Sequence, residues 1–214
     1  MDFIGPFDQN SSNGYKYILT CTDYFTRWVE AITTKKCTAE VIVKFLEENI
    51  VSWYGCPIKI TTDNAKAFSK LEMSTFCMNH GITLSHSSNY YPQGNGLPKS
   101  CNKNLIKLLK RMVGENKRSW DNKLKYALWT DRTTIKRITG KAPFELVYGQ
   151  YCRLPINMQI PIYELLQQCT SDQEAFQARI DKLVELDEVR RMAFGKSVIE
   201  QERVKGLFIK EQEM

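Results

Sequence analysis

Two aspartates stand where apolar, strand-like stretches meet polar turns. Asp2 opens DFIG, and Asp63 follows IKITT in the stretch TTDN. If the two strands are neighbours, both carboxylates converge at one sheet edge. Carboxylate oxygens suit a hard divalent cation, and Mg²⁺ keeps several waters while accepting phosphate oxygens beside one or two carboxylates. Two such ions about 3.5–4 Å apart stabilise the attacking and leaving oxygens of an in-line phosphoryl transfer. Taken alone, Asp-Asn after a strand is an ordinary turn, and an aspartate beside the first methionine is an ordinary solvated end. The pair needs support from elsewhere in the chain.

A second group is basic. In YYPQGNGLPKSCNKNL (90–105), the turn formers Pro92 to Gly96 run into a helix that starts near Pro98, where a missing N–H does no harm. Lys99, Lys103, Lys107 and Lys110 recur at i, i+4, i+8 and i+11 on one face of that helix, while Cys101, Leu105, Leu108, Leu109 and Met112 form its apolar face. A lysine stripe meets phosphates independently of base sequence; a solvated helix face reads the same way. In the preceding loop, Tyr91, Gln93 and Asn95 are candidates for contact with bases or sugars, with packing as the alternative for the tyrosine.

The elements that must position these groups follow from periodicity. Residues 15–22 and 26–33 alternate as an antiparallel hairpin across a short connection at Asp23–Phe25, and residues 2–5 supply a strand end beside it. Thr38 is placed to cap a helix whose Ile42, Phe45, Leu46, Ile50 and Trp53 share a face, stopped by Gly55 and Pro57. A strand at 58–62, a helix at 69–80 with Leu71, Met73, Phe76 and Cys77 inward, and a strand at 82–86 come next. Helices then follow from about Pro98 to Val113, over 119–135 behind Ser119, and from Pro143 to Tyr148 before Gly149. Trp53, Trp129 and Phe144 read as core or interface residues, with core preferred. This order gives an α/β fold, a mixed sheet of about five strands with helices on both faces. Residues 1–155 read as one core domain, 156–171 as a linker containing prolines, and 172–214 as a helical extension.

Composition sets limits. The chain has 214 residues, a net charge of +6 and a pI near 8.9, which permits an anionic partner without requiring one. Seven cysteines without a CxxC, and only two histidines, argue against a zinc site. The cysteines read instead as small core residues in a reducing compartment. No apolar run is long enough for a membrane span, and the start of the chain lacks the pattern of a secretory signal.

Several stretches stand in order over residues 2–155: IGPF, YKYILTCTDYFTRWVEA, TTDNAKAF, YYPQGNG, ALWTDRTT and TGKAPFELVYG. Together they resemble the integrase catalytic core of gypsy-type LTR retrotransposons, of the kind found in plant genomes. The resemblance implies a ribonuclease-H-like fold and a polynucleotidyl transferase that joins DNA ends with Mg²⁺ or Mn²⁺. It implies DNA as partner, a homo-oligomer such as a dimer, and a nuclear location if the chain is expressed, cytoplasmic otherwise. It also implies a metal-binding triad of Asp, Asp and Glu. Asp2 matches the first position and Asp63 the second. The third falls after 35 intervening residues, where this chain has Lys99. Nearby, Ala65 stands for the family's Gly, Tyr91 for its His and Leu97 for its Gln, with Pro98 a further departure.

An ammonium has no lone pair and cannot ligate Mg²⁺. Lys99 is therefore expected to form a salt bridge with Asp2 and Asp63 inside the metal space, leaving at most one weakly held ion and no two-metal catalysis. Asn102 offers only a neutral oxygen, and Glu115 lies far down the helix. The expected activity is impaired or lost; the alternative is a non-catalytic module, derived from an integrase, that binds nucleic acid or oligomerises. The family's zinc-binding module is expected ahead of residue 2, so the chain reads as having a truncated first strand, and as a fragment of a larger polyprotein or a decayed copy.

Overall fold

The computed structural model describes residues 1–87, 96–114, 116–152, 181, 184–199 and 202–203. The expected linker at 156–171 lies outside them. The chain divides into two units, Met1–Asp131 and Arg132–Met214.

Among the described residues, the first unit holds five strands. β1 (Asp2–Ile4), β2 (Tyr17–Thr22) and β3 (Val29–Thr34) form an antiparallel ladder in which Asp2 faces Thr20 and Ile4 faces Ile18. β4 (Lys59–Thr62) and β5 (Thr83–His86) form a parallel pair. The five strands thus make two hydrogen-bonded groups, and the Met1 amine donates to the Thr61 carbonyl at 2.6 Å, tying the start of β1 to the end of β4.

Side chains alternate across a strand, and β2 sorts them to two cores. Leu19 packs with Met1, Ile42, Phe45, Leu46, Phe68 and Phe76, beneath α1 (Ala39–Phe45) and α3 (Leu71–Asn79). Ile18 faces the other way and packs with Ile4, Val29, Leu105, Leu109, Trp120 and Leu124, beneath α4 (Gly96–Val113) and α5 (Trp120–Thr133). Helices therefore cover both faces. Asp2 shares the parity of Ile4, so it points to the α4 side.

Local differences from the pattern reading have identifiable causes. β3 begins at Val29 because the Asp23 carboxylate accepts the Thr26 N–H at 2.7 Å and its hydroxyl at 2.6 Å, while Arg27 adopts φ 66°; the side chain of Asp23 builds a longer turn than spacing suggests. Thr38 precedes α1 without a side-chain capping bond. α1 passes into a π-helical stretch, Leu46–Val51, before a last turn, α2 (Ser52–Tyr54). The wider π-turn rotates the last helical residues off the buried face. Ile42, Phe45, Leu46 and Ile50 are buried as expected, whereas Trp53 is 76% exposed. Trp129 is likewise exposed and Phe144 only half-buried, so these aromatics do not form the core. Leu71, at the first residue of α3, is 79% exposed and falls outside the buried set Met73, Phe76 and Cys77.

In the second unit, α6 (Pro143–Tyr148) carries Pro143 in its first turn and ends at Gly149 with φ 68°. Residues 184–199 are helical. Arg190 donates from Nε to the Leu146 carbonyl at 2.9 Å and from Nη2 to that of Val147 at 3.1 Å. A cation thus satisfies carbonyls at the helix C-terminus.

Candidate functional site

Asp2 lies at the start of β1 and Asp63 just beyond β4, at the edge where the Met1–Thr61 bond joins the two groups of strands. Both are half-buried. Burial pushes the Asp2 carboxyl above the ordinary carboxylate range, and the charge of Asp63 raises it further, against the Met1 amine and a hydrogen bond from Asn102. Asp63 Oδ1 accepts the Ala65 N–H at 3.1 Å, which sets the turn after β4.

Asn102 completes the setting of Asp2. It lies on the inward face of α4 with Pro98, Leu105 and Leu109, and is 5% exposed. Its Nδ2 donates to Asp2 Oδ2 at 2.8 Å, and its Oδ1 accepts from Thr20 Oγ1 at 3.0 Å. Thr20 Oγ1 also lies 3.1 Å from the Asp2 carbonyl; one hydroxyl proton serves one acceptor at a time. The amide orientation follows from its partners: nitrogen towards the carboxylate, oxygen towards the hydroxyl. The signal was present in the sequence as a polar residue in register with apolar ones, three before Leu105. Its amide N–H holds the Asp2 carboxylate, where the sequence alone offers only its neutral oxygen. On the Asp63 side, His86 Nδ1 lies 2.9 Å from Thr62 Oγ1 and 3.4 Å from the Asp63 carbonyl, a neighbour that pattern reading did not single out.

Lys99 is exposed, and among the described residues no ion pair joins it to Asp2 or Asp63. The expected salt bridge is therefore absent. Residues on a helix advance about 100° each, so Lys99 stands roughly a quarter turn from the buried line of Pro98 and Asn102. That rotation points it to solvent instead of between the carboxylates.

Carboxylate oxygens are donors of the kind that a hydrated hard cation takes. Among the described residues there is no group of three or more His, Cys, Asp or Glu side chains placed to hold a metal. A third protein ligand for a two-ion arrangement is not gathered there. Lys103, Lys107 and Lys110 are exposed beside Lys99 along α4, and none of the four is in an ion pair among the described residues. Tyr91, Gln93 and Asn95 lie outside the described residues. No helix of the described residues is long and apolar enough to cross a membrane.

An acid pair at the edge of a sheet with helices on both faces invites comparison with solved proteins of like architecture. The structure superposes with TM-score 0.52 on the HTLV-2 integrase catalytic core domain in complex with magnesium, in trimeric form, at 27% identity, over 67% of this chain and 93% of that one. The fold is that of an integrase catalytic core. Residues 1–92 match the integrase core domain family. A chain of the simian T-cell lymphotropic virus intasome, in complex with PP2A regulatory subunit B56 gamma, aligns with TM-score 0.59 and 26% identity, covering 72% of this chain and 55% of that one.

By sequence, the chain resembles segments of retroviral polyproteins. It is 32% identical over 139 residues to the Gag-Pol polyprotein of avian reticuloendotheliosis virus, covering 65% of this chain and 12% of that protein. It is 34% identical over 137 residues to the Pol polyprotein of radiation murine leukemia virus, covering 64% of this chain and 23% of that protein. The chain thus spans less than a quarter of the length of these relatives.

Proposed function

We propose that this chain is a retrotransposon integrase-type core of the gypsy class that binds DNA but whose polynucleotidyl transfer is impaired or lost. The observation that carries this reading is the composition of the acid site. Asp2 and Asp63 stand at one edge, where the Asp63 charge adds to the burial that raises the Asp2 carboxyl, while the position that would bring a third carboxylate carries Lys99, turned to solvent. Mg²⁺ or Mn²⁺, when bound, would supply charge neutralisation at the phosphate oxygens, with Asp2 and Asp63 as its protein ligands. Asn102 would hold the Asp2 carboxylate in place. Lys99 leaves the two-ion form short of a ligand. The gypsy-type assignment rests on the order of IGPF, TTDNAKAF, YYPQGNG and TGKAPFELVYG. The named relatives support the broader integrase reading.

Binding does not need the chemistry. Lys99, Lys103, Lys107 and Lys110 present exposed charge along one face of α4, in no ion pair among the described residues and suited to phosphates. Assembly into a dimer or higher homo-oligomer belongs to the same proposal, supported by the trimeric and intasome assemblies of the relatives. The test is a fluorescence anisotropy titration of labelled duplex DNA over a range of KCl, with and without Mg²⁺. Binding should weaken steeply with salt, persist without the metal, and weaken in Lys103→Gln/Lys107→Gln. An affinity independent of ionic strength overturns the reading.

A further inference from the structure

The α4 stripe does not end the basic surface. At the far end of the sheet from Asp2, a turn over residues 11–15 is closed by Ser11 N–H to Tyr15 O at 2.9 Å and Gly14 N–H to Ser11 O at 2.9 Å. Segments from three parts of the chain meet there. On one side, the Ser12 N–H donates to the Arg118 carbonyl at 2.9 Å, and Asn13 Nδ2 donates to Asp121 Oδ2 at 2.7 Å. On the other, the Lys16 N–H donates to the Thr34 carbonyl at 3.0 Å, so Lys16 and Lys35 leave neighbouring strands together. Lys35 then lies over the Tyr15 ring, 5.7 Å from its centroid, and its Cε is 3.8 Å from where a Cβ on Gly14 would stand.

Five exposed cations surround this turn: Lys16, Lys35, Lys36, Lys117 and Arg118. None is in an ion pair among the described residues. Among the described residues the carboxylates near these segments are Asp8 and Asp121, and Asp121 is engaged by Asn13; in sequence Glu115 adds a third, still short of the five cations. Positive charge is therefore left over.

The ring lies on the course of α4. Asn102 bonds Asp2, while further along the helix Leu105 and Leu109 pack in one cluster with Ile4 and Trp120. The helix thus runs beside β1 from the acid pair towards the turn. From Lys99 to Lys110 it rises about 17 Å, and Arg111, Lys117 and Arg118 continue the charge to Ser12. Each strand of duplex DNA carries one phosphate per about 3.4 Å of helix axis, so a basic line of this length meets several. An acidic peptide would want an apolar anchor, and the aromatics here are already covered. Tyr15 lies under Lys35, and Phe7 stacks on Trp120 with centroids 4.6 Å apart.

We infer that the turn over residues 11–15 and its five cations form a second DNA-backbone contact, continuous with the α4 stripe, which receives the duplex leaving the acid pair. The inference rests on the proposed DNA binding through α4 and extends its footprint to the opposite end of the sheet.

The experiment compares the full chain, Lys103→Gln/Lys107→Gln on α4, and Lys35→Gln/Arg118→Gln on the ring, titrating a labelled 30-base-pair duplex against KCl. All four positions are exposed, and circular dichroism and thermal melting confirm an unchanged fold. Each phosphate contact contributes roughly 0.9 to the slope of log affinity against log salt. The ring pair is expected to flatten that slope by roughly 1.8, as the α4 pair does. If the α4 pair flattens the slope and the ring pair does not, the second contact is overturned while the DNA reading stands. If the unsubstituted chain binds no duplex, both fail. A ring pair that keeps DNA binding but loses binding to polyglutamate assigns the ring to an acidic peptide and overturns the inference.

Discussion

Replacing Asn102 with alanine removes both hydrogen bonds of a buried amide. The bond to Asp2 Oδ2, at 2.8 Å, ends on a charged group and is worth about 1.5–3 kcal/mol; the bond from Thr20, at 3.0 Å, is a neutral one worth about 1 kcal/mol. Asp2 is half-buried, and Thr20 keeps the Asp2 carbonyl as an alternative acceptor. A loss of about 2–3 kcal/mol at neutral pH is expected, by urea denaturation. The pH dependence is the sharper readout. The folded pKa of Asp2 is raised, so the folded chain takes up the proton more readily than the unfolded one. Stability is then greatest below the ordinary carboxylate range and falls as pH rises through Asp2's raised value. Asn102 limits that fall because its N–H favours the ionised form. Alanine should deepen it, moving the Asp2 carbon NMR titration further up. In an Asp2→Asn background the cost of Asn102→Ala should drop to about 1 kcal/mol, since the partner is then neutral. Equal costs at acidic and neutral pH, with no coupling to Asp2, would refute the reasoning.

Asp63→Asn removes a charge that raises the Asp2 carboxyl, so the Asp2 titration should move down towards the ordinary range; an unmoved curve would mean the two groups do not interact. Lys99→Glu changes local charge by two units and should raise Mg²⁺ affinity by calorimetry; no gain would mean that position 99, off the inward line of α4, does not reach the metal space, or that the geometry at Asp2 or Asp63 does not support a metal. Gly5→Ala should destabilise the chain by roughly 1–3 kcal/mol in thermal melting, because Gly5 has φ +121° and an added Cβ would stand 2.8 Å from the Lys16 carbonyl oxygen. A melting temperature equal to that of the unsubstituted chain would contradict that constraint.

The sequence made the strands and the buried helix faces legible because alternation and helical spacing are local. Trp120, Leu124, Ala127 and Leu128 point inward, as their spacing indicates. Spacing failed where the helix itself changed pitch. The π-helical stretch Leu46–Val51 turned Trp53 out, and no apolar pattern announces such a turn. The turn at Asp23–Trp28 was set by one carboxylate taking two donors, chemistry that hydrophobic periodicity does not register. At the site, the positions of Asp2 and Asp63 at strand ends were readable, and the effect of the Asp63 charge on Asp2 required the sheet. The orientation of Lys99 was not readable. A charge count suggests attraction to two carboxylates, yet its angle around α4 turns it to solvent and gives the inward place to Asn102.

The central claim is an integrase-core fold without its transfer chemistry, and strand transfer by the purified 214-residue chain tests it most directly. With labelled DNA substrate and Mg²⁺ or Mn²⁺, the account predicts binding without joined or cleaved products. Robust metal-dependent strand transfer or disintegration with Lys99 intact, abolished by Asp63→Asn, would contradict it.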